Sequence, residues 1–385
     1  MNPSKPTIAL VAGEASGDLL GGALIDELRQ RYPDAKFVGI GGRRMRAAGM
    51  DTWWDSEELA VFGLFEVLSH FPRLYKIRRE LKQRLRALKP DLFIGIDAPD
   101  FNLGLEIGLR RSGIRTVQYV SPTVWAWRQK RVKKIARAAD LVLCLFPFEP
   151  DFYRGHQVSA TYVGHPMADQ IAQDIDPAAA RNLLGIETPG TVVALLPGSR
   201  GGEVSRLAEP MIEAARIIAA EREDVRFISA MANARARSLF EAAMEQSGSP
   251  AIQLVDDDPR SVIAAADVVM VASGTAALET LLINRPMVVC YRLAASTYHL
   301  AKSLRLIKTD SVSLPNILAN EKLVPELIQH DANGGQLAQE TLQLLTDRDR
   351  RDSLKKRFAE LHTQLQCNAS KKAAEAVCAL LNQHR

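Results

Sequence analysis

Short runs of consecutive apolar residues alternate along the chain with segments whose apolar positions recur at helical spacing. Apolar runs that are separated by helices indicate parallel strands covered on both faces of a sheet. The series lapses in a polar, proline-containing stretch at 166–190 and then starts again, which predicts two doubly wound α/β domains facing each other. The expected strands are Thr7–Ala12, Phe37–Ile40, Leu92–Ile96, Thr116–Val120, Leu141–Leu145, Tyr162–Val163, Val192–Leu196, Arg226–Ala230, Ile252–Val255, Val268–Val271 and Met287–Tyr291.

The same pattern divides the chain into three segments. We expect a first α/β domain at 1–168, a second at 169–345 and C-terminal helices at 346–385 that pack across the domains. Of the 385 residues, 47% are hydrophobic and 24% are charged, a balance that excludes a disordered or fibrous protein.

Three features of the whole chain indicate a cytoplasmic protein without a membrane span. The most apolar long stretch, 262–283, is interrupted by Asp267 and Glu279, whereas a spanning helix needs about 20 mostly apolar residues. The first residues lead into a strand pattern, and we expect no signal peptide. The four cysteines lie far apart without metal-ligand spacing, so we expect reduced thiols.

The small net charge of +4 hides a basic region between Phe71 and Arg137, which holds 17 Lys or Arg residues against 5 Asp or Glu. A helix is predicted there from residue 72, with one narrow apolar stripe, basic residues on its other faces and an apolar run before it. We expect contact with anionic lipid. The alternatives are a solvated helix whose stripe packs in the core, and a nucleic-acid surface, which no recognised binding module supports. The side chains expected to contact membrane or acceptor are Phe62, Phe65, Leu68, Arg128, Lys130 and Arg131.

Chemistry is expected in the loops after the strands, because ligands of doubly wound sheets bind beyond the carboxyl ends of the strands. In the first half, Asp97 ends an apolar strand, where partial desolvation raises the pKa of a carboxylate and suits a general base for a sugar hydroxyl. The alternative is that Asp97 or Asp100 caps the next helix. The loop at 13–18 offers Glu14 to the same region, unless it is simply a strand-to-helix turn.

Two loops of the second half have the composition of phosphate-binding turns. Gly198, Ser199 and Arg200 precede a helix, where backbone N–H groups and a guanidinium can hold a diphosphate, although a flexible turn is the alternative. The second is the small-residue turn Ser273-Gly274-Thr275, with Glu279 one helical turn further on to accept ribose hydroxyls. A helix–sheet packing turn would explain its small residues equally well.

The metal-binding motif D-x-D occurs at Asp256-Asp257-Asp258, but Pro259 follows and no other ligand cluster is near in sequence. We interpret it as a turn and helix cap, and no metal is expected. A dinucleotide fingerprint and a P-loop are both missing, which argues against a nicotinamide dehydrogenase. His165, at the boundary between the expected domains, is a modest site candidate.

The loop motifs together resemble the lipid-A-disaccharide synthases, a family of bacterial glycosyltransferases of lipopolysaccharide assembly. The resemblance is carried by GEASGD, GIDAPDFN, YVSPTVWAWRQKR, LPGSRGGEV, ASGTAALE and VSLPN, which extend from Val11 to Asn316, and by QCNA at 366–369. It implies a GT-B architecture, with an N-terminal acceptor domain and a C-terminal nucleotide-sugar domain, both Rossmann-like, on either side of a cleft.

The resemblance also implies the reaction and its site. UDP-2,3-diacylglucosamine and 2,3-diacylglucosamine 1-phosphate are joined with inversion into a β-1,6-linked disaccharide phosphate and UDP, without metal or cofactor, at the cytoplasmic face of the inner membrane. Asp97 would take the proton of the acceptor 6-hydroxyl, assisted by Glu14. The UDP ligands would be Gly198, Ser199, Arg200, Ser273, Gly274, Thr275, Glu279 and Asn316.

Two other functions stay open at this point. One is another GT-B enzyme of UDP-sugars, such as a UDP-GlcNAc transferase or epimerase, which would need no membrane-seeking segment. The other is a membrane-associated UDP-sugar binder without catalysis. The oligomeric state is also open, with a homodimer as one outcome.

Overall fold

The structure, a computed structural model, describes residues 5–59, 64–125, 129–186, 190–293 and 311–383; for residues 64–71 it describes the backbone alone. The chain divides into two compact units. The first domain comprises Met1–Asp169 together with Leu365–Arg385, and the second comprises Gln170–Gln364.

The first domain is built on a seven-stranded parallel sheet with the order β3-β2-β1-β4-β5-β6-β7. Its strands are β1 Thr7–Ala12, β2 Lys36–Gly41, β3 Asp51–Asp55, β4 Leu92–Ile96, β5 Arg115–Tyr119, β6 Leu141–Cys144 and β7 Ala160–Tyr162. Its helices are α1 Ala15–Arg31, α2 Arg43–Ala47, α3 Leu64–Leu88, α4 Pro99–Arg110, α5 Val132–Ala138 and α6 Glu149–Arg154, and the short α7 Pro166–Gln170 leads into the second domain.

Helices cover both faces of this sheet, because alternate residues of its central strands point to opposite sides. Ile8 and Leu10 of β1 pack in one core cluster with α1, while Ala9 and Val11 pack in another with α3 and α4. A strand buried on both faces needs apolar residues in succession, which is why β1 and β4 are unbroken apolar runs.

The second domain has a six-stranded parallel sheet with the order β10-β9-β8-β11-β12-β13. Its strands are β8 Thr191–Leu196, β9 Val225–Met231, β10 Ile252–Asp256, β11 Val268–Ala272, β12 Met287–Tyr291 and β13 Glu326–Ile328. Its helices are α8 Pro177–Leu183, α9 Gly201–Glu221, α10 Ala234–Ser247, α11 Pro259–Ala265, α12 Thr275–Leu282, α13 Leu314–Ala319, α14 Gly334–Thr346 and α15 Arg348–Leu365; α16 Ala369–Asn382 then returns to the first domain.

The prediction of two doubly wound α/β domains is confirmed, and every expected strand forms within a few residues of its expected ends. Two edge strands escaped the sequence analysis. β3 has aspartate at both ends and is largely half-buried, and β13 has three half-buried residues, so neither presents the continuous apolar run of a central strand.

The structure differs from the sequence-based division at the C-terminus. The final helices do not form a segment of their own, because α15 belongs to the second domain and α16 to the first. Ala373 and Val377 of α16 enter the core cluster that contains β1, which ties the end of the chain to the first domain.

The apolar stripe of α3 serves the core. Ile77, Leu81 and Leu85 are buried with residues of β1 and α4, so the part of the alternative that placed the stripe in the core is confirmed for these residues. Among the described helices, none combines the length and apolarity that a membrane crossing requires.

Candidate functional site

Asp97 lies where β4 ends, at the carboxyl edge of the first sheet. Its backbone N–H donates to Tyr119 O at 2.8 Å, which extends the ladder to β5 by one bond. Asp97 and Ala98 have φ values of 51° and 40°, a left-handed pair that non-glycine residues adopt only at a cost and that is typical of functional sites. Burial raises the pKa of the Asp97 carboxyl, as a general base requires.

The helix-capping alternative for Asp97 does not apply. The residue at the N-cap of α4 is Ala98, and no side chain caps this helix. Asp100 is exposed and pairs with Arg131 at 2.5 Å, which draws the basic segment after β5 towards the start of α4. Lys130 is exposed beside it.

The loop that carries Glu14 lies directly beside the Asp97 turn. β1 and β4 are neighbours with Ala12 opposite Ile96, and a Cβ on Gly13 would come within 2.6 Å of the Cβ of Ala98. Only glycine therefore fits at position 13. Glu14 is the N-cap residue of α1, and its exposed side chain makes no capping hydrogen bond. The two carboxylates expected on the acceptor side, Asp97 and Glu14, therefore lie at one edge of the sheet.

Asp18, the last residue of the GEASGD motif, has a structural role. Its buried carboxylate accepts hydrogen bonds from the backbone N–H groups of Gly42, Arg44 and Met45, at 2.7, 2.8 and 3.0 Å. It therefore caps α2, whose first N–H groups would otherwise lack partners.

Sequence analysis missed Glu149, which follows β6 at the same edge. It is buried; Oε1 accepts from the indole N–H of Trp125 at 3.1 Å and Oε2 from the N–H of Phe146 at 3.0 Å. Burial raises the pKa of Glu149 to about 7. The available signal was a glutamate directly after the aromatic turn Phe146-Pro147-Phe148.

His165 is held as a neutral packing residue. Its ring stacks on Phe146 at 5.5 Å, and Nδ1 accepts a hydrogen bond from the N–H of Met167. Burial lowers the pKa of His165 to about 4. Nothing in this arrangement gives it a chemical role.

In the second domain, the loop after β8 has the form of an anion cradle. Gly198 has a φ of 108°, and a Cβ there would come within 2.6 Å of Glu203 Oε2, so this position too needs glycine. Glu203 also accepts from the N–H of Arg200 at 3.4 Å, and Asn233 holds the carbonyl of Ser199 at 3.1 Å. The Arg200 side chain is 84% exposed and lies 4.0 Å from Glu203, so it is available to an anion at the start of α9.

The loop after β11 lies next to this cradle, because β8 and β11 are paired. Ser273 Oγ donates to Val312 O at 2.9 Å, while Gly274 and Thr275 are exposed at the start of α12. Glu279 is 15% exposed and accepts from Arg260 at 3.2 Å. The structure thus brings the expected diphosphate and ribose ligands to one edge of the second sheet.

Asn316 requires a correction. It is 2% exposed, its amide donates to Val324 O at 3.0 Å, and its Oδ1 accepts from Val324 N–H at 2.8 Å. The side chain is therefore occupied by backbone and does not face a nucleotide. It joins α13 to the backbone just before β13.

The D-x-D sequence is engaged in structural bonds. Asp256 pairs with Arg237 at 2.8 Å, and Asp258 caps α11 by accepting from Ser261 N–H at 3.0 Å. In the part of the chain that the structure describes, no group of three His, Cys, Asp or Glu residues could hold a metal ion.

The structure describes only some of the residues that we expect to contact membrane or acceptor. Phe62 and Arg128 lie outside the described residues, and Phe65 and Leu68 lie in the part of α3 described by its backbone alone. The exposed basic residues of α3 that are described include Lys76 and Arg79.

Comparisons with known proteins identify the family. A family model described as Lipid-A-disaccharide synthetase matches residues 8–377. A protein named lipid-A-disaccharide synthase from Xanthomonas campestris pv. campestris (strain 8004) is 52% identical over 380 residues, covering 98% of this chain and 87% of its own. One of the same name from Xylella fastidiosa (strain M12) is 49% identical over 380 residues, covering 98% and 99%.

Solved structures agree on the fold. A putative UDP-N-acetylglucosamine 2-epimerase from Listeria monocytogenes matches with a TM-score of 0.65 at 14% identity, covering 99% of this chain and 96% of its own. The UDP-GlcNAc 2-epimerase from Neisseria meningitidis, bound to UDP-GlcNAc, matches with a TM-score of 0.63 at 10% identity, covering 97% and 99%. Both are likenesses of fold alone. On the family match and the identity over nearly its whole length, this chain belongs to the lipid-A-disaccharide synthase family.

Proposed function

We propose that this protein joins UDP-2,3-diacylglucosamine to 2,3-diacylglucosamine 1-phosphate, giving the β-1,6-linked disaccharide 1-phosphate and UDP. The observation that carries the proposal is the 52% identity, over 98% of the chain, to a protein named lipid-A-disaccharide synthase. The two strand-edge clusters support it, since one supplies a partly desolvated carboxylate and the other an anion cradle.

The first domain supplies the acceptor chemistry in this proposal. Asp97 removes the proton of the acceptor 6-hydroxyl while that oxygen attacks the anomeric carbon of the donor sugar. A carboxylate whose pKa is raised by burial holds the transferred proton better than an exposed one. Glu14, whose loop adjoins Asp97, assists at the acceptor.

The second domain supplies the leaving-group chemistry. As the bond between the anomeric carbon and the UDP oxygen breaks, negative charge grows on the diphosphate. The N–H groups at the starts of α9 and α12, with Gly198, Ser199, Ser273, Gly274 and Thr275, and the exposed Arg200 guanidinium stabilise that charge. Glu279 accepts hydrogen bonds from the ribose hydroxyls. A single displacement of this kind inverts the anomeric centre.

We further propose that the protein works at the cytoplasmic surface of the inner membrane. Both substrates carry acyl chains, and the exposed basic face of α3, with Lys76 and Arg79, suits anionic headgroups. Since the stripe of α3 packs in the core, the proposal assigns the exposed basic face of this helix to the membrane.

The test is incubation of the purified protein with each acylated sugar alone and with both together, followed by mass spectrometry. Release of UDP that depends on both sugars, in step with a tetraacyl disaccharide phosphate, is expected. Conversion of the UDP-sugar without the acceptor would instead indicate an epimerase, and binding without any product would indicate a UDP-sugar binder.

A further inference from the structure

Three fully buried polar side chains lie together beneath the Asp97 turn. Asn102 and Glu106 lie one turn apart on α4, and Gln118 lies on β5 directly across from Gly95 of β4. Gly95 leaves the space they fill, because a Cβ there would come within 2.3 Å of Glu106 Oε1 and 2.9 Å of Asn102 Cβ. We call Asn102, Glu106 and Gln118 the Gly95 cluster.

Two members of the cluster hold the backbone of the proposed base. The carbonyl oxygen of Asp97 accepts from Asn102 Nδ2 at 2.9 Å and from Gln118 Nε2 at 3.2 Å. Gln118 Nε2 also lies 3.2 Å from the carbonyl of Val120, another residue with positive φ, at 73°. The two amides therefore hold the carbonyl groups of the turns after β4 and β5 towards the interior. Because the Asp97 carbonyl is fixed in this way, the left-handed backbone of Asp97 determines the direction of its carboxylate.

The third member can supply a hydrogen-bond donor to the cluster only as a neutral acid. Because both amide nitrogens face carbonyl oxygens, Asn102 Oδ1 and Gln118 Oε1 are left as buried acceptors, and among the described residues neither has a hydrogen-bond partner. Both carboxyl oxygens of Glu106 are likewise without one. An ionised Glu106 has only acceptor oxygens and would face amide oxygens that are acceptors too. A protonated Glu106 brings the O–H donor that the cluster lacks.

The electrostatic surroundings agree with a neutral Glu106. Burial raises its pKa well above the ordinary value, and Lys134 of α5 is the cation that opposes this shift. The effect of burial is the larger of the two.

We propose that the Gly95 cluster positions the catalytic base: Asn102 and Gln118 fix the Asp97 turn through its carbonyl, and Glu106 orients them as a neutral hydrogen-bond donor. The inference rests on the proposed function for the role of Asp97. None of the three touches the substrates in this assignment. They are positioning residues, so they govern kcat and leave substrate binding unchanged.

The decisive variants are Glu106→Gln, which retains a neutral donor, and Glu106→Leu, which removes it at similar size. We expect E106L to lower kcat about tenfold or more, with the KM of both substrates unchanged, and E106Q to stay within about threefold of the parent protein. Gln118→Met should behave as E106L does. Thr341→Val is the matched control, because it removes a buried hydroxyl on α14 of the second domain that also has no hydrogen-bond partner among the described residues.

A second readout does not depend on turnover. Amide hydrogen exchange at Asp97, whose N–H bonds to Tyr119 O, should accelerate about tenfold or more in E106L and Q118M but not in E106Q or T341V. Parental kcat in E106L, or an equal loss in E106Q and E106L, would overturn the proposal, as would unchanged exchange in Q118M. Absence of product from the parent protein would overturn the proposed function instead, and exchange would still decide the role of the cluster.

Discussion

At the residue scale, the two side chains that the proposed function depends on most lie in contrasting environments. Asp97 is partly desolvated, on a strained turn held from beneath by buried amides. Arg200 is 84% exposed and lies 4.0 Å from Glu203. In the proposed function, burial suits Asp97 to proton transfer, and exposure leaves Arg200 accessible to an anion.

Substitution of Asp97 by Asn is expected to lower kcat by about 10²–10⁴-fold, because the general base is lost, with little change in KM. In the parent protein kcat should fall as the pH drops through the pKa of Asp97, which lies above the ordinary aspartate value because burial raises it. Steady-state kinetics across pH measures both effects. Asp91→Asn, at the other end of β4 where the carboxylate accepts from Thr7 N–H, is the control, and a D97N enzyme as active as D91N would remove Asp97 as the base.

Substitution of Arg200 by Ala should weaken UDP binding by about 10–100-fold, since a charge-assisted contact to the diphosphate is lost. Because the Arg200 side chain is exposed, we expect the substitution to cause no loss of thermal stability. Titration calorimetry with UDP measures the affinity, with Arg216→Ala, an exposed arginine further along α9, as control. Equal affinities of R200A and the parent protein would contradict the diphosphate role.

At the element scale, the sequence pattern predicts the central strands and the loops that follow them, because fully buried parallel strands must be apolar in succession. Single turns were harder to predict. Asp18 caps α2 rather than its own helix, because its partners lie 24 to 27 residues away. Asn316 bonds to Val324, eight residues further on, across a turn that only the folded chain forms. The Gly95 cluster escaped for the same reason, since Gln118 and Asn102 read as ordinary polar positions.

Because Glu149 is buried in the turn after β6, we expect the stability of the protein to depend on pH. Glu149 has a folded-state pKa of about 7, above that of the unfolded chain, so its contribution to stability is lost as the pH rises through 7. Between pH 6 and pH 8.5 the parent protein should lose about 1 kcal/mol more than Glu149→Gln, which is neutral throughout. Urea unfolding of both proteins at the two pH values measures this. A parallel loss in the two proteins would mean that Glu149 does not carry a raised pKa.

At the scale of the whole molecule, the net charge of +4 is less informative than its distribution. The stretch from Phe71 to Arg137 holds 17 basic and 5 acidic residues, and it belongs entirely to the first domain. We expected the first domain at 1–168, and the first compact unit of the structure comprises Met1–Asp169 together with Leu365–Arg385. The sequence did not predict that the chain returns to the first domain in α16, because the amphipathic pattern of a helix does not say which core it joins.

The basic face of α3 should bind vesicles that contain phosphatidylglycerol. The double variant Lys76→Glu with Arg79→Glu is expected to weaken binding about tenfold or more, because each removed cation contributes about 1 kcal/mol near an anionic surface. Vesicle cosedimentation measures it, with Arg348→Glu and Lys356→Glu on α15 as the matched control.

The salt dependence of vesicle binding tests the same surface. Moderate salt should release the protein only partly, since we expect Phe62, Phe65 and Leu68 to insert into the membrane and salt screens charge alone. Complete release by salt would mean that the protein binds the membrane through charge alone. In the cosedimentation experiment, a control variant on α15 that binds as weakly as the α3 variant would refute a specific role of the α3 face.

The central claim, direct attack of the acceptor 6-hydroxyl on the donor's anomeric carbon, is tested most directly with an acceptor labelled with ¹⁸O at that hydroxyl. We expect the label in the glycosidic bond of a β-1,6-linked product and unlabelled UDP. Loss of the label from the product, or its appearance in UDP, would contradict the account.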